Sequence, residues 1–392
     1  MCGCGDGRSD IGNLYGFVAG YRQGREQNFS FLSGRWADHE QWRAMAKARV
    51  FELFGYFPGE APLDAETVCI TKRNGYTQHE VRFNTAKHVR VSGSLLIPTE
   101  GKGPYPAVVA LHDHGGFYYY GREKILESDG EPEALSEFKQ QAYKGRSWAS
   151  ELVRRGYVVL AIDAFYFGTR RPDLNSMSND TRRRFSLDEL DGIEPGTKEY
   201  IGTYNLLCGR LEALFMKHIL AAGTTWAGAL FHDDRRSVDY LLTRAEVDAD
   251  RVGCCGLSLG GIRSVMLAGL DGRIKASAAA GWMTTFDSLL FDRLRDHTYM
   301  LYVPRLAEYM DLPDVASLSA PNAMLVQQCL RDELYQPKGM RDACDKLEKI
   351  YGKLGIPERF KGSFYDNGHE FNLQMQQEAF QWLDRWLKPD RC

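Results

Sequence analysis

Ser258 lies in Gly256-Leu257-Ser258-Leu259-Gly260, after the apolar run 252–255 and before a small-residue segment that suits a helix. This pattern predicts strand, sharp turn, helix, with the serine hydroxyl presented at the end of a sheet, the arrangement of a nucleophile elbow. Glycine on either side leaves room where a Cβ would strike a neighbouring strand or helix. The N–H of Leu259, at the positive end of the helix, would face a developing oxyanion. A serine hydroxyl is a weak nucleophile near neutral pH. It needs a general base, and the base needs an acid to orient it.

Around such an elbow the chain order is serine, acid, histidine, each at the C-terminal end of a strand. His369 fits the base. It follows the last predicted strand and the Asn367-Gly368 pair, which can turn the ring back over the sheet. Asp332 and Glu333 both follow the penultimate strand. Asp332 is preferred because its shorter side chain is better held there. Asp163 precedes the serine and reads as a structural hydrogen-bonding group, and Asp366 is a weaker acid candidate. The second oxyanion donor is expected from the loop 112–116, with the N–H of His114 preferred and Gly115 next. A rival reading makes His112, Asp113 and His114 metal ligands, with His232, Asp233 and Asp234 completing the set. The serine chemistry already gives that loop a role and requires no cofactor and no metal.

Residues 1–60 read as an N-terminal arm carrying one helix over 38–57, with Trp42, Met45, Ala46, Val50, Leu53 and Phe54 as its apolar face and Pro58-Gly59 as its stop. Residues 61–392 form the catalytic domain. Runs at 66–72 and 79–83 flank Asn74-Gly75, a hairpin signal, and 89–97 supplies a third strand, giving an antiparallel lead-in. From 106–111 onward, buried strands alternate with helices (strands at 157–162, 252–255, 274–280, 323–327 and 360–365), so a mostly parallel sheet with helices on both faces is expected. An insertion at about 170–230 interrupts this rhythm, with a helix-like run at 206–220 and the character of a lid. Trp282, Phe117, Tyr118 and Phe165 fall at strand ends or loops, where the wall of a substrate pocket would stand.

The chain has 392 residues and a net charge of −3, without the basic field expected of a nucleic-acid or membrane-surface binder. No apolar run reaches transmembrane length. Nine cysteines show no disulfide framework. Cys2 and Cys4 form a lone C-x-C without a second pair to complete a zinc site. The opening MCGCGDGRSD lacks the features of a secretory leader, so a reduced, cytoplasmic setting is expected. The partner is then a small-molecule ester, and self-association is left open.

The motifs LHDHGGF (111–117), AIDAFYFGTRR (161–171), GLSLGG (256–261), QQCLRDELYQPKGM (from 327) and NGHEF (367–371) resemble those of α/β-hydrolases of the dienelactone-hydrolase-like and acetyl-xylan-esterase-like group. The resemblance covers roughly 89–387. It implies the α/β-hydrolase fold, Ser258 as nucleophile, Asp332 as acid and His369 as base. It also implies hydrolysis of short, acetyl-type carboxylic esters. Dienelactone hydrolases use cysteine, so a serine elbow favours esterase chemistry. GLSLGG is also similar to the elbow of prolyl-oligopeptidase-type peptidases, but about 100 residues ahead of the first parallel strand are too few for their propeller. Peptidase or amidase activity, or a catalytically inactive binding protein on the same fold, are the alternatives.

Overall fold

The structure is a computed structural model that describes residues 8–24, 26–59 and 61–388. Cys2 and Cys4 lie outside the described residues. Nine strands form one sheet in the order β1-β2-β3-β5-β4-β6-β7-β8-β9. β1 (Glu66–Arg73), β2 (Tyr76–Ala86) and β3 (Val89–Pro98) are antiparallel, and β3 runs antiparallel to β5 (Val158–Ile162). The other strands are parallel to β5: β4 (Tyr105–Leu111), β6 (Val247–Leu257), β7 (Ile274–Ala280), β8 (Ala323–Cys329) and β9 (Phe360–Tyr365). The chain has the α/β-hydrolase fold.

The continuous apolar runs have the physical cause expected of them. In β4, Ala107, Val109 and Leu111 face one core layer while Val108 and Ala110 face the other, and all five are fully buried. One layer is closed by α7 (Trp226–Leu241), α8 (Leu259–Leu270) and α12 (Pro337–Lys353), the other by α4 (Trp148–Arg154) and α13 (Leu373–Leu387). The connection from β4 leads to β5 on one side, whereas β6 lies on the other. Ligands of open α/β sheets bind at such a reversal, beyond the strands' C-terminal ends. Leu111 pairs with Gly256, so the loop after β4 and the turn after β6 emerge side by side.

Before the sheet, α1 (Tyr15–Arg22) buries none of its residues, whereas α2 (His39–Phe54) buries Trp42, Ala46, Val50 and Phe54. These four are spaced i, i+4 and form one stripe. Met45 falls outside it and is largely exposed, contrary to the expected apolar face. The helix also stops earlier than expected. Gly55, in the left-handed region at φ 60°, ends it before Pro58-Gly59. The Asp38 side chain caps its start by accepting from the Gln41 N–H.

α3 (Glu133–Tyr143) lies between β4 and α4. The interrupting segment is more regular than its sequence suggested. It holds the short α5 (Asn179–Arg184) and then α6, 24 residues long (Lys198–Ala221), which leads into α7. Between β7 and β8 run three short helices, α9 (Phe286–Leu290), α10 (Leu306–Tyr309) and α11 (Leu312–Ser317). Among the described residues no helix is long and apolar enough to cross a membrane.

Candidate active site

Ser258 stands between β6 and α8 with φ 58° and ψ −119°, a strained conformation for a residue with a side chain. The strain is held by its surroundings. The Ser258 N–H donates to the Ala280 carbonyl at 2.8 Å, and the Ile262 N–H returns to the Ser258 carbonyl at 2.9 Å. A Cβ on Gly256 would lie 2.5 Å from the Leu111 oxygen and from the Gly260 carbon. One on Gly260 would lie 2.0 Å from the Leu111 oxygen. Only glycine lets the helix start this close to β4. As the first residue of α8, Leu259 has an N–H without an intrahelical acceptor.

The histidine and its acid come from the two outermost parallel strands. The loop after β8 carries Asp332, whose side chain is fully buried, and the loop after β9 carries His369. His369 Nδ1 lies 2.5 Å from Asp332 Oδ2, while Asp332 Oδ1 accepts the Leu334 N–H at 2.9 Å. Glu333, one residue on, is exposed. Burial lowers the His369 pKa, but the hydrogen bond and charge of Asp332 outweigh it and leave the imidazole above its ordinary value. The carboxylate accepts the Nδ1 proton, so Nε2 is the basic nitrogen. Among the described residues no donor occupies it.

The loop after β4 is fastened from beneath. Lys124, fully buried, donates to the carbonyls of Asp113 (2.5 Å) and His114 (3.2 Å). Burial pushes its ammonium down to about 8, against the opposing charge of Asp113. Tyr143 donates to the Asp113 carboxylate. His114 accepts the Gly116 N–H on Nδ1 at 3.0 Å, so its proton sits on Nε2, which donates to Glu212 Oε1 at 2.7 Å. The Phe117 N–H is taken by the His114 carbonyl. Among the described residues no acceptor takes the amides of His114 and Gly115.

Glu212 shows no motif in the sequence, yet it joins three segments. From α6 it accepts from His114, from Tyr118 (2.9 Å) and from Thr298 (3.1 Å to each carboxylate oxygen), and it is only 5% exposed. Burial raises its pKa, but these donors, His114 foremost, bring it below the usual range. The one sequence signal was that Glu212 is the only acid in the helix-like run 206–220.

A cavity of about 200 Å³ opens beside these groups, and Ser258, Leu259, His114, Gly115 and His369 all line it. The structure thus brings together five of the residues singled out by the sequence, with Asp332 behind His369. It does not bring Trp282, Phe117 or Phe165 to that lining. Trp282 is fully buried against Tyr335, Phe117 stacks on Phe138, and Phe165 packs against Trp226. Tyr118 is buried and serves Glu212. His297, Thr298 and Leu334, which the sequence did not flag, line the cavity instead.

The residues of the rival metal reading are occupied separately. His112 accepts the Ala164 N–H on Nε2 and donates from Nδ1 to the Asp113 carbonyl, and burial holds its pKa well down. His232 donates to the Thr85 carbonyl, Asp233 pairs with Arg170, and Asp234 pairs with Arg263. No group of three or more metal-ligating side chains converges among the described residues. Asp163 accepts from the Arg122 N–H and guanidinium and from Thr169, holding the turn after β5.

No family model matches the chain. Over 346 residues it is 26% identical to the protein named Putative hydrolase YtaP of Bacillus subtilis (strain 168), covering 88% of this chain and 100% of that one. Its structure is similar to that of a putative acetyl xylan esterase from Bacteroides fragilis, with a TM-score of 0.68 at 17% identity over 91% of this chain and 84% of the other. A glucuronoyl esterase from Solibacter usitatus has a TM-score of 0.59 at 13% identity, over 91% and 96% of the two chains. At these identities the two structures share the fold with this chain.

Proposed function

We propose that this protein is a serine-dependent carboxylic ester hydrolase acting on short acyl esters of the acetyl type. The observation that carries the reading is one cavity that holds Ser258, at a strained strand-to-helix turn, and His369, tied to buried Asp332. The similar proteins add support, since one is named a hydrolase and two are named esterases.

In this reading His369 Nε2 takes the Ser258 proton as Oγ attacks the ester carbonyl. The N–H groups of Leu259 and His114 receive the oxyanion. Asp332 fixes the ring with its proton on Nδ1 and stabilises the cation that forms. Collapse expels the alcohol, which takes the proton from His369 and leaves an acyl-Ser258. Water then attacks the acyl carbon with His369 again as base. Expulsion of Ser258 Oγ releases the carboxylic acid and regenerates the enzyme. All six described cysteines are free, which suits the reducing cytoplasmic setting included in this proposal.

The test is hydrolysis of p-nitrophenyl acetate, butyrate and octanoate by wild type and Ser258→Ala, with EDTA present. Rates that fall with acyl length and vanish in the variant support the reading. Activity that survives in Ser258→Ala removes Ser258 from the mechanism. Turnover of peptide or amide substrates but not esters would favour the peptidase reading instead.

A further inference from the structure

We infer that His297 is a specificity-determining residue whose Nδ1 accepts a hydrogen bond from a substrate hydroxyl beside the scissile ester. This deepens the ester-hydrolase reading and rests on it.

His297 lines the same cavity as Ser258 and His369. Its Nε2 lies 3.0 Å from the Leu334 carbonyl oxygen. A carbonyl can only accept, so that nitrogen carries the ring proton. The ring is also packed against Tyr335, with centroids 5.0 Å apart, which fixes its plane. Burial holds the imidazole below its ordinary pKa and thus neutral at neutral pH. One polar capacity then remains, the Nδ1 lone pair. No described donor reaches it, and it is not among the buried atoms cut off from solvent. It is a fixed acceptor, not sealed from solvent, on a residue that lines the cavity.

An ester bond and a plain acyl chain offer acceptors only, so neither can satisfy this atom. A hydroxyl elsewhere on the substrate can. Among the lining residues, the Asp296 carboxylate is paired with Arg295 at 3.1 Å, and there is no lysine or arginine. The lining therefore supplies an acceptor for a hydroxyl group at His297 and no cation for a substrate carboxylate.

The test uses two acetates that differ by one hydroxyl: cyclohexyl acetate and the monoacetate of trans-1,2-cyclohexanediol. Wild type should favour the monoacetate in kcat/KM by about tenfold, the worth of one such hydrogen bond. His297→Phe should bring the two substrates to within about twofold of each other, since the phenyl ring has no acceptor. His297→Gln, which keeps an acceptor and a donor, should retain part of the preference and provides a second variant if the first does not fold. A residue that merely braces the Asp332 loop through Leu334 would lower both rates alike and leave their ratio unchanged. That result, or equal wild-type rates on the two acetates, overturns the assignment. Absence of any wild-type turnover of p-nitrophenyl acetate would instead overturn the ester-hydrolase reading itself.

Discussion

Gly260→Ala is the substitution through which fold and chemistry are most tightly coupled. An ideal Cβ at this position falls 2.0 Å from the Leu111 oxygen, 2.9 Å from the Leu111 carbon and 3.1 Å from the His112 oxygen. Real Cβ contacts essentially never fall below 3.0 Å, so the start of α8 and the end of β4 must separate by about 1 Å. All three atoms belong to the backbone, so no rotamer change relieves the clash. Leu111 leads directly into the loop carrying His114, and Gly260 is two residues beyond Ser258. The displacement therefore opens the space between the two proposed oxyanion donors, the amides of Leu259 and His114. A misplacement of that size costs about 100-fold in rate. Overpacking of this kind destabilises by about 1–3 kcal/mol. For a chain of this length that lowers Tm by roughly 1–4 °C. The assay is kcat/KM for p-nitrophenyl acetate together with thermal unfolding followed by circular dichroism. Wild-type values for both in Gly260→Ala would refute the claim that close approach of α8 to β4 builds the site.

Asp332→Asn should lower kcat by about 10⁴-fold by losing the carboxylate that orients the base. In the proposed mechanism activity requires neutral His369, so the acid limb of the wild-type kcat/KM profile should be centred above 6.5. In the variant burial is opposed only by the charge of Asp113, the smallest of the raising influences, and the limb should move to lower pH. Glu212→Gln should cost about 1–3 kcal/mol, measured by urea unfolding, because charged hydrogen bonds to three segments are weakened. It should also lower kcat more than KM. Because the Glu212 pKa is depressed in the folded state, its contribution is present above the ordinary carboxylate pKa of 4.5 and is lost as pH falls through the lower folded value. The gap in stability between wild type and Glu212→Gln should therefore narrow at low pH. Lys124→Met should destabilise by about 3–5 kcal/mol in the same unfolding assay, since it leaves the buried Asp113 carboxylate without its neighbouring cation.

Those site residues that follow predicted strands were legible in the sequence because the strands themselves were. Short, largely apolar runs of four to six residues mark the strands, and Ser258, Asp332, His369 and His114 each follow one. The choice of Asp332 over Glu333 rested on side-chain length and on the family resemblance. In the structure Asp332 is buried against His369 while Glu333 faces solvent. Glu212 escaped notice because it comes from the middle of α6, 98 residues from His114, and hydrogen bonds across that separation leave no local pattern. The same holds for His297, whose surroundings of short helices carry no periodicity. Aromatic residues at strand ends misled for the opposite reason. Trp282 and Phe117 lie where a pocket wall would stand, but one fills the core and the other covers α3. The end of α2 was misplaced because Gly55 can take a left-handed turn that Pro58 was not needed to enforce.

The most direct test of the account is covalent labelling by a fluorophosphonate, with the modified peptide located by mass spectrometry. An activated serine beside a neutral histidine should be phosphonylated at Ser258, with protection by p-nitrophenyl acetate and a rate that rises with pH along the same acid limb as hydrolysis. No labelling of wild type at Ser258, or equal labelling of Ser258→Ala, would contradict the claim that this hydroxyl is the nucleophile.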